Sequence, residues 1–61
     1  MNEKEKDGLY LLRRDLLEDE QTHKISARES KRDVDKKEHI NIALGIRHAI
    51  NLLDNYLNKY C

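Results

Sequence analysis

The stretch His39-Ile-Asn-Ile-Ala-Leu-Gly-Ile-Arg-His-Ala-Ile-Asn-Leu-Leu-Asp-Asn-Tyr-Leu-Asn-Lys-Tyr60 decides the fold. His39, Ile42, Ile46, Ala49, Leu53, Tyr56 and Tyr60 follow one another at alternating steps of three and four, the spacing of a helical seam that packs against another helix. Ala43, Ile50 and Leu57, seven apart, lie beside that seam, and Leu52 flanks its other side, so the apolar stripe is wide. Asn41, Arg47, His48, Asn51, Asp54, Asn55 and Asn58 form the opposite face. Asn is a middling helix former, but the apolar period overrules it.

Upstream, Ser26-Ala27-Arg28-Glu29 and Ser30-Lys31-Arg32-Asp33 both read as capping boxes, in which the hydroxyl accepts from an early backbone N–H and the acidic side chain reaches back. A helix from residue 30 to 60 would be a rod of roughly 45 Å. Asp33 and Lys37, four apart, add only about 0.2–0.5 kcal/mol. Leu9-Tyr10-Leu11-Leu12 with Leu16-Leu17 form a second apolar block whose leucines favour helix over strand. Asn2 or Asp7 is suited to cap its start, and its pattern fades at Gln21-Thr22-His23.

The expected fold is therefore all-α, a single helical domain over residues 1–61. It is a two-helix antiparallel hairpin with a helix at about 3–20, a polar connector at about 21–29 and a long helix at about 30–60. A short break near residue 38 is the variant reading. A chain of 61 residues buries only about 60% of its unfolded surface, and its wide stripe faces a shorter partner. Two hairpins pairing into a helical bundle would cover the remainder, and a homodimer is the expected oligomer.

The composition narrows the function classes. Twelve basic and twelve acidic side chains balance to zero net charge, with no Pro, Trp or Phe. One cysteine, Cys61, cannot close an internal disulfide, which points to a reducing, cytoplasmic setting and to intermolecular oxidation as its chief chemistry. No apolar run nears the roughly 20 residues of a membrane span. The amino-terminal Met1-Asn2-Glu3-Lys4 lacks signal-peptide order, so no membrane partner and no removed leader are expected.

Charge is uneven along the chain: −3 over residues 1–20, +3 over 21–37 and zero over 38–61. Lys24, Arg28, Lys31, Arg32, Lys36 and Lys37 supply phosphate-binding chemistry for a nucleic-acid-binding or transcription-modulating dimer. Interleaved Glu29, Asp33 and Asp35, and the lack of stacking aromatics there, make a solvated ion-paired face the first reading. Asp15, Glu18 and Asp19 share a helix turn, but helical carboxylate catalysis draws on a second acidic pair on a facing helix, and the long helix holds only Glu38 and Asp54. His23, His39 and His48 match no compact zinc spacing, and His39 is placed to meet Asp35 one turn before it. Gly45 inside the long helix reads as a close-approach position for another helix. No catalytic residue, metal or cofactor is expected.

What remains is a small non-catalytic regulatory, inhibitory or adaptor protein acting on a larger protein target through an amphipathic helical surface. Leu9, Leu12, Leu16, Tyr56 and Tyr60 are the expected partner-binding residues. Ile42, Ile46, Ala49, Ile50, Leu53 and Leu57 are the expected self-association residues.

Overall fold

A computed structural model describes residues 2–60; Cys61, and with it the expectation of an intermolecular disulfide, lies outside them. Helix α1 spans Glu3–Glu29 and helix α2 spans Asp33–Tyr60, packed against each other as an antiparallel hairpin of 46 × 16 × 10 Å. The all-α hairpin expected from the apolar periods is the observed fold. Asn2 caps α1, its Oδ1 accepting from the Glu5 backbone N–H at 2.9 Å. Acidic Glu3 and Glu5 in the first turn of α1, and Asp33 and Asp35 in that of α2, suit the positive ends of the helix dipoles.

The boundaries differ from those expected. Helix α1 runs through the segment assigned to a polar connector, α2 starts three residues later than residue 30, and no break occurs at residue 38. Ser26 lies inside α1, and Ser30 ends it. The Ser30 backbone N–H and Oγ both donate to the Ser26 carbonyl, at 2.9 and 2.7 Å, so neither serine starts α2 as a capping box. The polar half of α1 stays helical because its inward positions find specific partners on α2.

Those inward positions form a regular series. Lys6, Leu9, Arg13, Leu16, Glu20, His23, Ala27 and Ser30 are the buried or half-buried residues at alternating steps of three and four along α1. Lys36, His39, Ala43, Ile46, Ile50, Leu53 and Leu57 are their counterparts on α2. This is an antiparallel coiled-coil seam. Its line on α2 has the period read from the sequence but a different phase. Ala43, Ile50 and Leu57 are buried at its centre, while Ile42 and Tyr56 stand at its edge, nearly half exposed. The stripe is wide enough that periodicity alone leaves its centre open; contact with α1 selects it. The core is thin: among the described residues, Ala27, Ala43, Ile50 and Leu57 are the buried apolar ones.

Candidate interaction surface

Two bidentate ion pairs cross the seam. Arg13 Nε and Nη2 donate to Asp54 Oδ1 and Oδ2 at 2.5 and 3.3 Å, and Arg47 Nε and Nη2 donate to Glu20 Oε2 and Oε1 at 2.7 and 2.6 Å. The fork of a guanidinium matches a carboxylate, and such charge-assisted pairs are among the stronger hydrogen bonds. Glu20 is 1% exposed and is also approached by Lys24 Nζ at 3.9 Å. The hydrogen bond from Arg47 holds the Glu20 carboxyl below its ordinary range, against a smaller opposing effect of burial. Arg13 does the same to Asp54. Glu20 is therefore an engaged structural anion.

The two pairs encode register. Arg13 and Glu20 are seven apart on α1, Arg47 and Asp54 seven apart on α2, and the charge order is reversed between them. Sliding α2 by one heptad in one direction would set Arg13 against Arg47; sliding it in the other would set Glu20 against Asp54. Either slip unpairs a half-buried or buried charge and opposes like charges.

The pairs also give the hairpin two unlike flanks. On the flank that carries them, Glu20, Lys24, Ile40, Ala43, Leu44 and Arg47 line an open cleft of about 230 Å³. Its polar groups already satisfy one another, leaving Ile40 and Leu44 as its exposed apolar wall. The other flank is bordered, in antiparallel register, by Leu12 and Asp19 of α1 and by Ile42, Ala49 and Tyr56 of α2. Leu12 is 49%, Ile42 45% and Tyr56 46% exposed. Half-buried Leu9, Leu16, Ile46 and Leu53 lie next to them along the seam. The Tyr56 and Tyr60 rings meet with centroids 4.7 Å apart and planes tilted by 43°, and Lys59 Nζ sits 5.3 Å from the Tyr60 ring centroid.

The sequence-derived residues thus separate. Leu9, Leu12, Leu16, Ile42, Ile46, Ala49, Leu53 and Tyr56 share one side of the hairpin, with Tyr60 at its end. Ile50 and Leu57, expected to mediate self-association, are 0% and 5% exposed because they pack inside the hairpin's own seam, so they offer no outer surface. Gly45 is exposed, and a Cβ added there would meet nothing within 4 Å, so no close approach within the chain explains it. The turn collects Lys24, Arg28, Lys31, Arg32, Lys36 and Lys37 toward one end of the rod, with Lys24 held near Glu20.

Two features escaped the sequence reading. The crossed ion pairs join residues far apart in the chain, and the signal that finds them is the three-four series of α1 continued through its charged members. The second is a histidine pair: His23 Nδ1 and His39 Nδ1 are 3.0 Å apart, with ring centroids at 5.3 Å and planes tilted by 34°. His39 meets His23 across the seam, in place of the expected Asp35. Among the described residues, no three His, Cys, Asp or Glu side chains converge as a metal cluster, and no helix is long and apolar enough to cross a membrane. No family model matches the chain, and neither the curated proteins nor the solved structures contain a significant match to it.

Proposed function

We propose that this chain is a small non-catalytic regulatory or adaptor protein that works by protein–protein contact through the flank formed by Leu12, Ile42, Ala49 and Tyr56. The observation carrying this reading is the asymmetry of the hairpin. One flank is crossed by the internal ion pairs and exposes Ile40 and Leu44 from α2, while the other carries no such pair and exposes large apolar side chains from both helices, Leu12 of α1 with Ile42 and Tyr56 of α2, held in fixed register. Apolar side chains at seven-residue spacing on a rigid face are what an amphipathic helix of a partner recognises.

The first occupant of that flank is a second copy of the chain. The accessible surface is 4861 Å², whereas a compact monomer of 7.3 kDa would expose about 4,200 Å². The excess, about 700 Å², is close to the roughly 800 Å² that each partner buries in a standard interface. Two hairpins joined flank to flank make a four-helix bundle, and a helix of a larger target protein acts by displacing one hairpin from the other. The target's recognition surface is then an apolar helical stripe of matching length.

Sedimentation of the full chain from about 1 to 100 µM tests the reading, a range that spans ordinary dimer affinities. Dimer formation is expected, and Ile42→Asp with Tyr56→Asp should yield a monomer of unchanged helicity. A wild-type chain that stays monomeric at the highest concentration overturns it. The basic end of the rod supports nucleic-acid binding as a second reading. That reading requires affinity that falls steeply with added salt and is lost when Lys31, Arg32, Lys36 and Lys37 are replaced by Gln.

A further inference from the structure

We infer that His23 and His39 form an interhelical two-histidine clamp for a divalent transition-metal ion of the Cu²⁺ or Ni²⁺ class, with water completing its coordination. The two Nδ1 atoms converge at 3.0 Å from opposite helices. For metal–imidazole bonds of about 2.0–2.1 Å, adjacent ligands at right angles lie about 2.9 Å apart, whereas tetrahedral ligands lie about 3.3–3.4 Å apart. The ring centroids, 5.3 Å apart, show that the two rings meet nearly head-on, the arrangement of an N–H···N hydrogen bond, so each ring must turn by about 45° for both lone pairs to meet one ion; neutral imidazole nitrogens suit Cu²⁺ and Ni²⁺, near the top of the affinity order, while disfavouring Mg²⁺ and Ca²⁺.

The fold fixes the backbone that carries the pair. His23 follows the Glu20–Arg47 bridge by three residues, and His39 lies four residues before buried Ala43, so both rings leave backbone that the seam already fixes. Both side chains are half-buried, which leaves one side of the pair open to water and to an entering ion. As they stand, one ring donates its Nδ1 hydrogen to the lone pair of the other. Ligation requires the donor ring to carry that hydrogen on Nε2 instead, and both rings to turn so that the two Nδ1 lone pairs face the ion. This tautomer shift releases no proton from the protein. The bound ion replaces a hydrogen bond by two coordinate bonds and ties α1 to α2 beside the turn.

The test uses the full chain carrying Cys61→Ser, which removes the thiol as a competing ligand, titrated with NiCl2 and in parallel with CuCl2. One ion should bind per chain with a micromolar dissociation constant, raise the thermal midpoint and, with Cu²⁺, give an electron paramagnetic resonance spectrum showing two equivalent nitrogens. His23→Gln and His39→Gln should each weaken binding by more than about tenfold, the least that even outer-shell partners contribute. His48→Gln, on the exposed face, should leave it unchanged, and circular dichroism of each variant shows whether the helices are intact. MgCl2 should have no effect. Absence of saturable Ni²⁺ and Cu²⁺ binding to the folded chain at 100 µM metal, or binding that survives the loss of either His23 or His39, overturns the inference. So does binding that depends on His48. None of these outcomes bears on the apolar flank, whose state is read separately by sedimentation.

Discussion

Truncating Ile50 to Ala should remove a third or more of the stability of this chain. Ile50 is 0% exposed at the centre of a seam whose buried apolar set, among the described residues, is four residues, so little nearby substitutes for it. The substitution deletes three carbons, and at about 0.8 kcal/mol per buried methylene the transfer loss is about 2.4 kcal/mol. A cavity adds to this where its walls stay in place. Here the walls are one helix thick on each side, so they close in and the added cost is small. The expected total is about 2.5–3 kcal/mol, in the lower half of the range for such truncations. Total stability at this length is about 3–9 kcal/mol. A loss of that size lowers the thermal midpoint by roughly 20–25 °C at the sensitivity of a domain of about 60 residues. The assay is urea and thermal unfolding followed by helical circular dichroism at a fixed protein concentration, with an unchanged urea slope as evidence that the same surface is exposed. Leu44→Ala, at a side chain 62% exposed on the rim of the cleft, is the control. A loss below about 1 kcal/mol for Ile50→Ala, or one no larger than the control's, would refute the assignment of the seam's centre, because a buried Ile truncation costs at least about 2 kcal/mol.

Other outcomes follow from the ion pairs and the glycines. Arg47→Glu should destabilise the hairpin strongly by facing Glu20 with a like charge, and adding Glu20→Arg should restore much of the loss; a double variant no better than the single one in urea unfolding argues against the register code. Glu20 and Asp54 have folded-state pKa values below the ordinary 4.5 and 3.8, so the unfolded chain takes up these protons first. Their contribution to stability is complete above those ordinary values and is lost as pH falls through them toward the lower native ones, and an acid titration of Glu20→Gln should show a shallower decline. Gly8→Ala and Gly45→Ala should each stabilise the monomer by about 0.5–1 kcal/mol, since both sites are helical and a Cβ meets nothing within 4 Å. Should Gly45→Ala instead reduce self-association while leaving helicity intact, the glycine is part of an intermolecular contact.

Much of the fold is legible from apolar residues that carry their own period. From Ile42 to Leu57, α2 repeats in threes and fours, and that spacing has no other economical reading than helix against helix. Its phase is not legible in the same way. Ile42, Ile46 and Ala49 are as apolar as Ala43 and Ile50, and only the partner helix decides which of them lies at the centre. The second half of α1 is less legible because its inward positions include Glu20 and His23, residue types that read as solvent-facing, with Ala27 as the buried apolar one. Their partners, Arg47 and His39, stand 27 and 16 residues downstream, beyond the reach of any local pattern. The apolar flank is legible as a set of residues, since Leu12, Ile42, Ala49 and Tyr56 each fall on the apolar stripe of their helix. That Leu12 and Tyr56 border the same flank needs the register, and the register is written in charges rather than in hydrophobic spacing.

The crossed charges recognise a helix by its sequence and direction, and they are indifferent to which chain it belongs to. α1 of one molecule would meet α2 of another through the same guanidinium forks at the same spacing. Choice between folding back and exchanging arms therefore rests on residues 30–32, three polar positions in which the Ser30 N–H and hydroxyl both close on Ser26 to end the first arm. A helix-favouring replacement there would straighten the bend and turn a self-closed molecule into a mutually clasped pair with every seam contact retained, a change of connectivity without a change of code.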